Sequence, residues 1–281
     1  MVSQGNTTRF VRGVFALVRG LYTAASGALT AQIMADTVAN NLANVTSSGF
    51  KETLLQIQSA PSLNIFRIQT DPGQVPGKAL TGVPVAQFVG ALGTGAQVYD
   101  TPVDFKQGTL DQTGNALDVA LVGANGFLSV QTPQGVRYTR DGQLSLDNNG
   151  NLITQDGNLV LGTNGGPITI PQGPFSVGPD GTISQNGAPL GQLNLTQFGN
   201  LVALRKQGDN LFVNTGAAAP QPATAVSVQQ GFLEKSSGNV IRSMVDLIVA
   251  ERWFDANSKA IKAEDSTTGI SIAKIGRSSP Q

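Results

Sequence analysis

The aspartates between positions 100 and 209 are where this chain carries most of its capacity for chemistry: Asp100, Asp104, Asp111, Asp118, Asp141, Asp147, Asp156, Asp180 and Asp209. Two carboxylates facing each other across a groove can hydrolyse a glycosidic bond. Most of these, however, stand in or beside turn sequences, where an aspartate caps its own backbone, and that is the role expected of them. Other routes close early. The chain has no histidine and no cysteine, which removes Ser-His-Asp triads, thiol nucleophiles, disulfides and Cys/His metal sites. Gly90-Ala91-Leu92-Gly93-Thr94-Gly95 fits the spacing of neither common phosphate loop and is expected to be a flexible joint. Asp147-Asn148-Asn149-Gly150 begins like a calcium loop. Its glycine comes too early and no glutamate follows at the right distance, so a hairpin turn is expected. The sequence therefore predicts no catalytic residue, no cofactor, no metal site and no small-molecule substrate.

Composition points the same way. Charged residues make up 13% of the chain, about half the ~25% of an ordinary globular protein. Eighteen basic residues balance eighteen acidic ones. A nucleic-acid partner needs a clustered basic surface, and none is visible. Zero net charge removes long-range self-repulsion and suits a chain that packs against copies of itself. Hydrophobic residues reach 40% and mean hydropathy is −0.01, enough for a sizeable core. An apolar run of the ~20 residues a membrane helix needs is missing. Near the start, Arg9, Arg12 and Arg19 surround a short apolar stretch, which Arg19 cuts below the length of a secretory signal. Residues 1–17 are expected to be a disordered extension or a misassigned start.

Two elements must position whatever this chain does, one at each end. Val14, Leu21, Ala28, Ala35 and Leu42 recur every seven residues, and so do Leu17, Ala24, Ala31, Val38 and Val45. All ten are apolar. Such a helix presents a narrow stripe to another helix, and its central alanines allow close approach. Gly20 and Gly27 weaken it alone, as expected of a helix that needs its partner. At the other end Val240, Leu247, Phe254, Ile261, Thr268 and Ile275 repeat with the same period, widened by Ile241, Met244, Ile248 and Ile272. Here the residues are bulky where the first helix has alanines, which predicts interdigitation of large against small. Ser236 to Asn239 offer its cap.

Between the helices, 51–95 reads as an extended connector broken by Pro72, Gly73, Pro76, Gly77 and Pro84, with one short strand at 83–89. Residues 96–230 read as β, with alternating runs at 116–122, 127–131 and 143–146. Turns such as Asn149-Gly150, Asp156-Gly157, Asn164-Gly165, Asp180-Gly181 and Asn186-Gly187 separate the strands. That spacing suggests a sandwich or barrel. The expected fold class is α+β: paired long N- and C-terminal helices, as a coiled coil, carrying a mainly antiparallel β domain. The expected divisions are 1–17, a helix and turn at 18–50, the connector 51–95, the β domain 96–230 and a helix at 231–281.

The segment Val38-Ala39-Asn40-Asn41-Leu42-Ala43-Asn44-Val45, continued by Thr46-Ser47-Ser48-Gly49-Phe50-Lys51, resembles the N-terminal signature of the flagellar rod and hook family. Leu21-Tyr22-Thr23-Ala24-Ala25-Ser26-Gly27 is similar to that family's opening. In the β region, Gln107-Gly108-Thr109-Leu110, the run Thr113 to Ala120, Gly126-Phe127 and Tyr138-Thr139-Arg140-Asp141-Gly142 are similar to its core. So are Gln230-Gly231-Phe232-Leu233-Glu234 and Arg252 to Lys259 near the end. Where the family often has Ser-Asn-Val, this chain has Ser237-Gly238-Asn239-Val240, with an extra glycine. The resemblance covers most of residues 18–276.

The resemblance implies a structural subunit of the flagellar basal-body rod. Its terminal helices would stack into the inner tube and its β domain would lie outside. Its partners would be copies of itself, other rod and hook proteins, the flagellar type III export apparatus and the surrounding ring proteins. Export would need no cleaved signal. The connector, longer than a minimal proximal subunit needs, favours the distal rod. The residues expected to carry assembly are Asn40, Asn41, Leu42, Ala43, Asn44, Gly49 and Phe50. Helix packing is assigned to Leu21, Ala24, Ala28, Ala31, Ala35, Val38, Val240, Met244, Leu247, Phe254 and Ile261. The asparagine amides can satisfy the helix end, Gly49 can supply a positive φ, and Phe50 can anchor the connector. The alternative is a secreted β-rich carbohydrate-binding protein or adhesin. It needs an aromatic platform, whereas aromatics are 6% of the chain and the one tryptophan, Trp253, falls on the terminal helix.

Overall fold

A computed structural model of the chain describes residues 5–68, 86–123, 125–216 and 219–276. It is α+β, with two long helices, α1 (Gly5–Ala43) and α2 (Val240–Gly276), and mainly antiparallel sheets. Its residues group into two compact units. One unit takes the chain up to Ala35, Gln56–Asp100 and everything from Ile248. The other takes Asp36–Leu55 and Thr101–Leu247.

In the first unit, Gly20 and Gly27 of α1 stand against Glu264 and Asn257 of α2. A Cβ at Gly27 would come within 2.6 Å of Asn257 Oδ1, and one at Gly20 would run into Glu264 Oε1. At both positions it is the end of a polar side chain that comes close, so these glycines make room for Asn257 and Glu264, beyond any effect on helix propensity. Ala24, Ala28 and Ala31 are buried, while Ala35 is half-buried and Leu21 exposed. On α2 the inward set is Ala250, fully buried, with Asn257 and Glu264 half-buried. The seven-residue spacing is the one predicted, but the face is different. Phe254, at 41% exposure, points outward, and Ile261 is only half-buried. Small side chains on both helices allow close approach, which leaves the bulky residues on the outside.

Of the stretch expected to be an extended connector, most of the described residues are β. Gln56–Ser59 pairs with Ala96–Asp100, and Leu63–Ile68 pairs with Ala86–Leu92, each ladder carrying a bulge. Prolines 72, 76 and 84 fall outside the described residues. The flanks are proline-free and free to pair. Residues 90–92, expected to be a joint, belong to a strand. The base of this arm docks on α1, where the Ala96 N–H donates to Ser26 Oγ and Thr30 Oγ1 donates to the Ala96 carbonyl. From Gly5 onward, the residues expected to be a disordered or misassigned extension belong to α1; residues 1–4 lie outside the described ones.

The second unit is built on a nine-stranded sheet. Its strands run in the order Leu204–Lys206, Leu211–Asn214, Gly135–Thr139, Gly126–Thr132, Leu159–Val160, Leu152–Thr154, Leu144–Leu146; Leu195–Gln197 and Gln221–Pro222 branch from the central strand. The sheet forks at Gly126–Thr132, which pairs with three strands, and Gln221–Pro222 joins through Leu195–Gln197. Gly126–Thr132 is central because nearly all of it is buried; such a strand must pair on both edges. An aliphatic cluster around Leu121, Leu128, Val130, Val160 and Ile183 fills one part of the core. An aromatic cluster of Phe105, Phe127, Tyr138, Phe198 and Phe212 fills the other. Phe127 meets Phe105, Phe198 and Phe212 edge-on at 5.5 to 5.8 Å, the geometry that the ring quadrupole favours. Phe232–Glu234, just before α2, is a strand paired with Leu110–Gln112; the helix itself begins at Val240, right after the expected cap at Ser236 to Asn239. Asn239 caps α2, its Oδ1 accepting from the Arg242 N–H at 3.1 Å.

Because Phe127 joins three other rings and has no solvent exposure, Phe127→Ala is expected to cost about 3–5 kcal/mol. The drop should appear as a lower urea midpoint with an unchanged slope.

Candidate assembly site: the signature turn and its ion cluster

The signature segment lies in the second unit. It closes helix α1 and turns the chain into the β core. Asn44 Nδ2 and the Asn44 N–H both donate to the Asn40 carbonyl, at 2.9 and 3.2 Å, which satisfies the end of the helix. Asn41 is buried. Its Oδ1 accepts from the Thr53 N–H at 3.0 Å and its Nδ2 donates to the Thr53 carbonyl at 2.8 Å. The side chain thereby imitates a strand partner. Leu42 is half-buried, whereas Asn40 and Ala43 are exposed. Val38 is half-buried.

Gly49 has φ +65°, as its place after a helix requires. It is also constrained by space, since a Cβ would meet the Arg140 carbonyl carbon at 2.5 Å. Its N–H donates to the Glu234 carbonyl at 2.7 Å. Phe50 is buried, its carbonyl accepts from the Ser237 N–H, and Ser237 Oγ accepts from the Glu52 N–H. The turn is thus stitched to the segment that leads into α2.

Beneath it lies a charge cluster. Lys51 Nζ meets Glu234 Oε1 at 2.5 Å, and Arg140 Nε lies 3.1 Å from Oε2; all three side chains have no solvent exposure. Lys51 also donates to the Lys106 carbonyl at 2.6 Å, and the Gly108 N–H donates to Glu234 Oε1 at 2.8 Å. The Arg140 guanidinium reaches the carbonyls of Leu121 and Gly123. Two cations therefore share one carboxylate. Burial pushes the Lys51 ammonium and the Arg140 guanidinium below their ordinary pKa, and the Glu234 charge pushes both back up. Sequence reading quoted these residues within similar stretches and gave them no role. Each stands next to an opposite charge in the sequence (Glu52, Asp141 and Lys235), so nothing local marks it as buried.

A pocket of about 580 Å³ opens beside Phe50, lined among others by Asn44, Ser48, Asp141, Asp156, Lys206 and Asp209. Lys206 Nζ sits 3.6 Å above the centre of the Phe50 ring, a cation–π contact. Burial lowers the Lys206 amine to about 8. Burial raises Asp141, and raises Asp156 with help from the Asp209 charge. Elsewhere the aspartates cap turns. Asp147 accepts from the Asn149 and Asn151 N–H groups, and Asp180 from Thr182. Those bonds hold both carboxyls below the usual range. Among the described residues no group of three or more acidic, His or Cys side chains is placed to hold a metal ion.

On α2, Ser243 is buried and Leu247 half-buried, while Val240 is 40% and Met244 50% exposed. The bulky residues assigned to helix packing again lie mostly on the outside.

Glu234→Gln leaves two buried cations facing a neutral amide. The expected loss is about 3–5 kcal/mol, read as a fall in urea midpoint. Lys206 gives a separate, pH-dependent signal. Its pKa is lower folded than unfolded, so between about pH 8 and 10 the unfolded chain binds more protons and stability rises with pH. Tyr138, raised by burial, opposes the trend only above that range. Lys51, also lowered by burial, adds a rise of the same sign, so Lys206→Met should reduce the slope without abolishing it in a series of urea titrations across these pH values.

Residues 21–51 match the family profile "Flagella basal body rod protein", 121–185 match "Flagellar hook protein FlgE/F/G D1 domain", and 229–273 match "Flagellar basal body rod FlgEFG protein C-terminal". The three stretches contain the signature turn, the central strand with Arg140, and Glu234 with α2. Across full length, the chain is 34% identical to the flagellar basal-body rod protein FlgF of Caulobacter vibrioides, covering 92% of this chain and 96% of that one. It is 33% identical to FlgG of Borreliella burgdorferi (90% and 97% covered) and 35% identical to FlgG of Bacillus subtilis (89% and 96%). With the turn, the ion cluster and most of both helices falling inside matched stretches, the chain belongs to the flagellar basal-body rod and hook protein family.

Proposed function

We propose that the chain is a structural subunit of the flagellar basal-body rod, self-assembling into the hollow shaft that carries torque to the hook. It works by packing against neighbours and catalyses no reaction. The observation that carries this is the outer face of α2. Val240, Ile241, Met244, Val245 and Ile248 are each at least 40% exposed and fall within about 140° of one another around the helix. An apolar stripe of this kind calls for a partner, and zero net charge lets copies approach. Gly20 opposite Glu264 and Gly27 opposite Asn257 support reading α1 and α2 as an antiparallel pair in heptad register: seven residues up one helix match seven down the other. In the rod such pairs would stack as the inner tube, with the β core outside.

Other rod and hook proteins would adjoin it, and ring proteins would surround it. Passage out of the cell would use the flagellar type III export apparatus without a cleaved signal. For the carbohydrate-binding alternative the exposed aromatics are misplaced. Tyr22, Phe88, Tyr99, Trp253 and Phe254 lie on the helices and the β arm, and the β core exposes none among its described residues.

Electron micrographs of cells lacking this chain should show no shaft beyond the cell membrane, and intact motile flagella would refute the proposal. Cells carrying only Ile248→Glu should show the same loss, while the purified variant keeps the wild-type urea midpoint of its β core. A truncation meant to remove α2 alone must begin after Asn239, because an earlier cut removes Glu234.

A further inference from the structure

Lys206 differs from every other described lysine. Lys51 is sealed within the ion cluster. Lys106 and Lys235 are exposed and face Asp104 and Asp111, and Lys259 and Lys262 stand in water on α2. Lys206 lines the pocket beside the signature turn and is half-buried there. It touches the Phe50 ring face and makes a long 3.4 Å bond to Thr53 Oγ1; among the described residues it makes no ion pair. Next to it the chain passes through three consecutive left-handed residues: Gly208 (φ +87°), Asp209 (φ +45°) and Asn210 (φ +53°). For the two non-glycine residues that conformation is costly, and it holds the loop open along one wall of the pocket. The Asn210 amide donates to the Ser48 carbonyl at 3.2 Å, tying that wall to the signature turn.

We propose that Lys206 is a selective acylation site, modified by activated acyl donors of the acyl phosphate or acyl thioester class. Its neutral amine attacks the acyl carbonyl carbon and an N–C bond forms. The C–O or C–S bond breaks, phosphate or thiolate leaves with the electron pair, and the amine proton passes to water. The product is a neutral amide in a pocket that offers the Asn40, Asn44 and Asn210 amides and the Ser47 and Ser48 hydroxyls as hydrogen-bonding neighbours. The charged groups lining the pocket besides Lys206 are Asp141, Asp156 and Asp209. A neutral amide avoids the repulsion from these carboxylates that an anionic adduct would meet. Burial supplies free amine at a pH where an ordinary lysine is almost wholly protonated. Acylation also removes the cation above Phe50, so modification would be felt at the signature turn.

The test treats the full-length folded chain at pH 8 with acetyl phosphate in one arm and a small acetyl thioester in the other, stopping at low conversion. Peptide mass mapping then gives site occupancy. Lys206 should lead Lys259 and Lys262 by about five- to tenfold, and the lead should vanish in denaturing urea. The rate at Lys206 in the folded chain should level off above about pH 8, while the rate at Lys206 in denaturing urea keeps rising. Selectivity in one arm alone identifies that donor as the source. Preferential labelling of Lys259 or Lys262 in both arms, or a Lys206 rate in the folded chain that follows its pH profile in denaturing urea, overturns the proposal.

Discussion

The carboxylate of Glu234 is the point on which the second unit depends. It neutralises Lys51 from the signature turn and Arg140 from the β core, with no access to water for any of the three side chains. A buried charge without its partner costs several kcal/mol, so none of these segments reaches its native place alone. Lys51 and Glu234 are 183 residues apart. The turn after α1 therefore becomes stable only when the strand before α2 has arrived, and closing so long a loop carries an entropic cost before any contact repays it. The same strand places Asn239, the cap of α2, five residues later. One electrostatic requirement thus brings together the end of one helix and the start of the other.

Such a cluster is weak evidence for stability, because desolvation offsets much of the attraction between the charges. Its value lies in specificity. An apolar core tolerates small slips of register, whereas a carboxylate between two cations does not. Asn41 works in the same way at smaller scale: its amide can pair with Thr53 in one geometry only. Gly49 reinforces both, since any side chain there would strike the Arg140 backbone. The signature segment is a set of mutually exclusive fits, which explains why so many of its residues are small or amide-bearing.

Much of this was legible in the sequence. Heptad repeats gave both helices, and the turn glycines Gly150, Gly157, Gly165, Gly181 and Gly187 all have φ between +78° and +82°, as the Asn-Gly and Asp-Gly pairs imply. The positive φ of Gly49 and the burial of Phe50 followed from their place after a helix end. Other features were hidden for definite reasons. A repeat of seven gives the period of a helix face and leaves open which residues turn inward; Asn257 and Glu264 stand against Gly27 and Gly20, which leave room for their side chains, while Phe254 stays 41% exposed. The β arm was obscured by the prolines at its centre, which say nothing about the flanking ladders. The ion cluster was hidden because its members are far apart in sequence, and each one alone looks like a surface charge.

The two faces of α2 answer different physical demands. Its small face can be satisfied within one chain, whereas the bulky face is satisfied only by another molecule. A long helix gains little from propensity alone and relies on packing for its stability. Half of that packing is missing in an isolated copy, so α2 should gain order as neighbours are added. The β core, whose aromatic cluster and ion cluster are complete within one chain, has no such dependence.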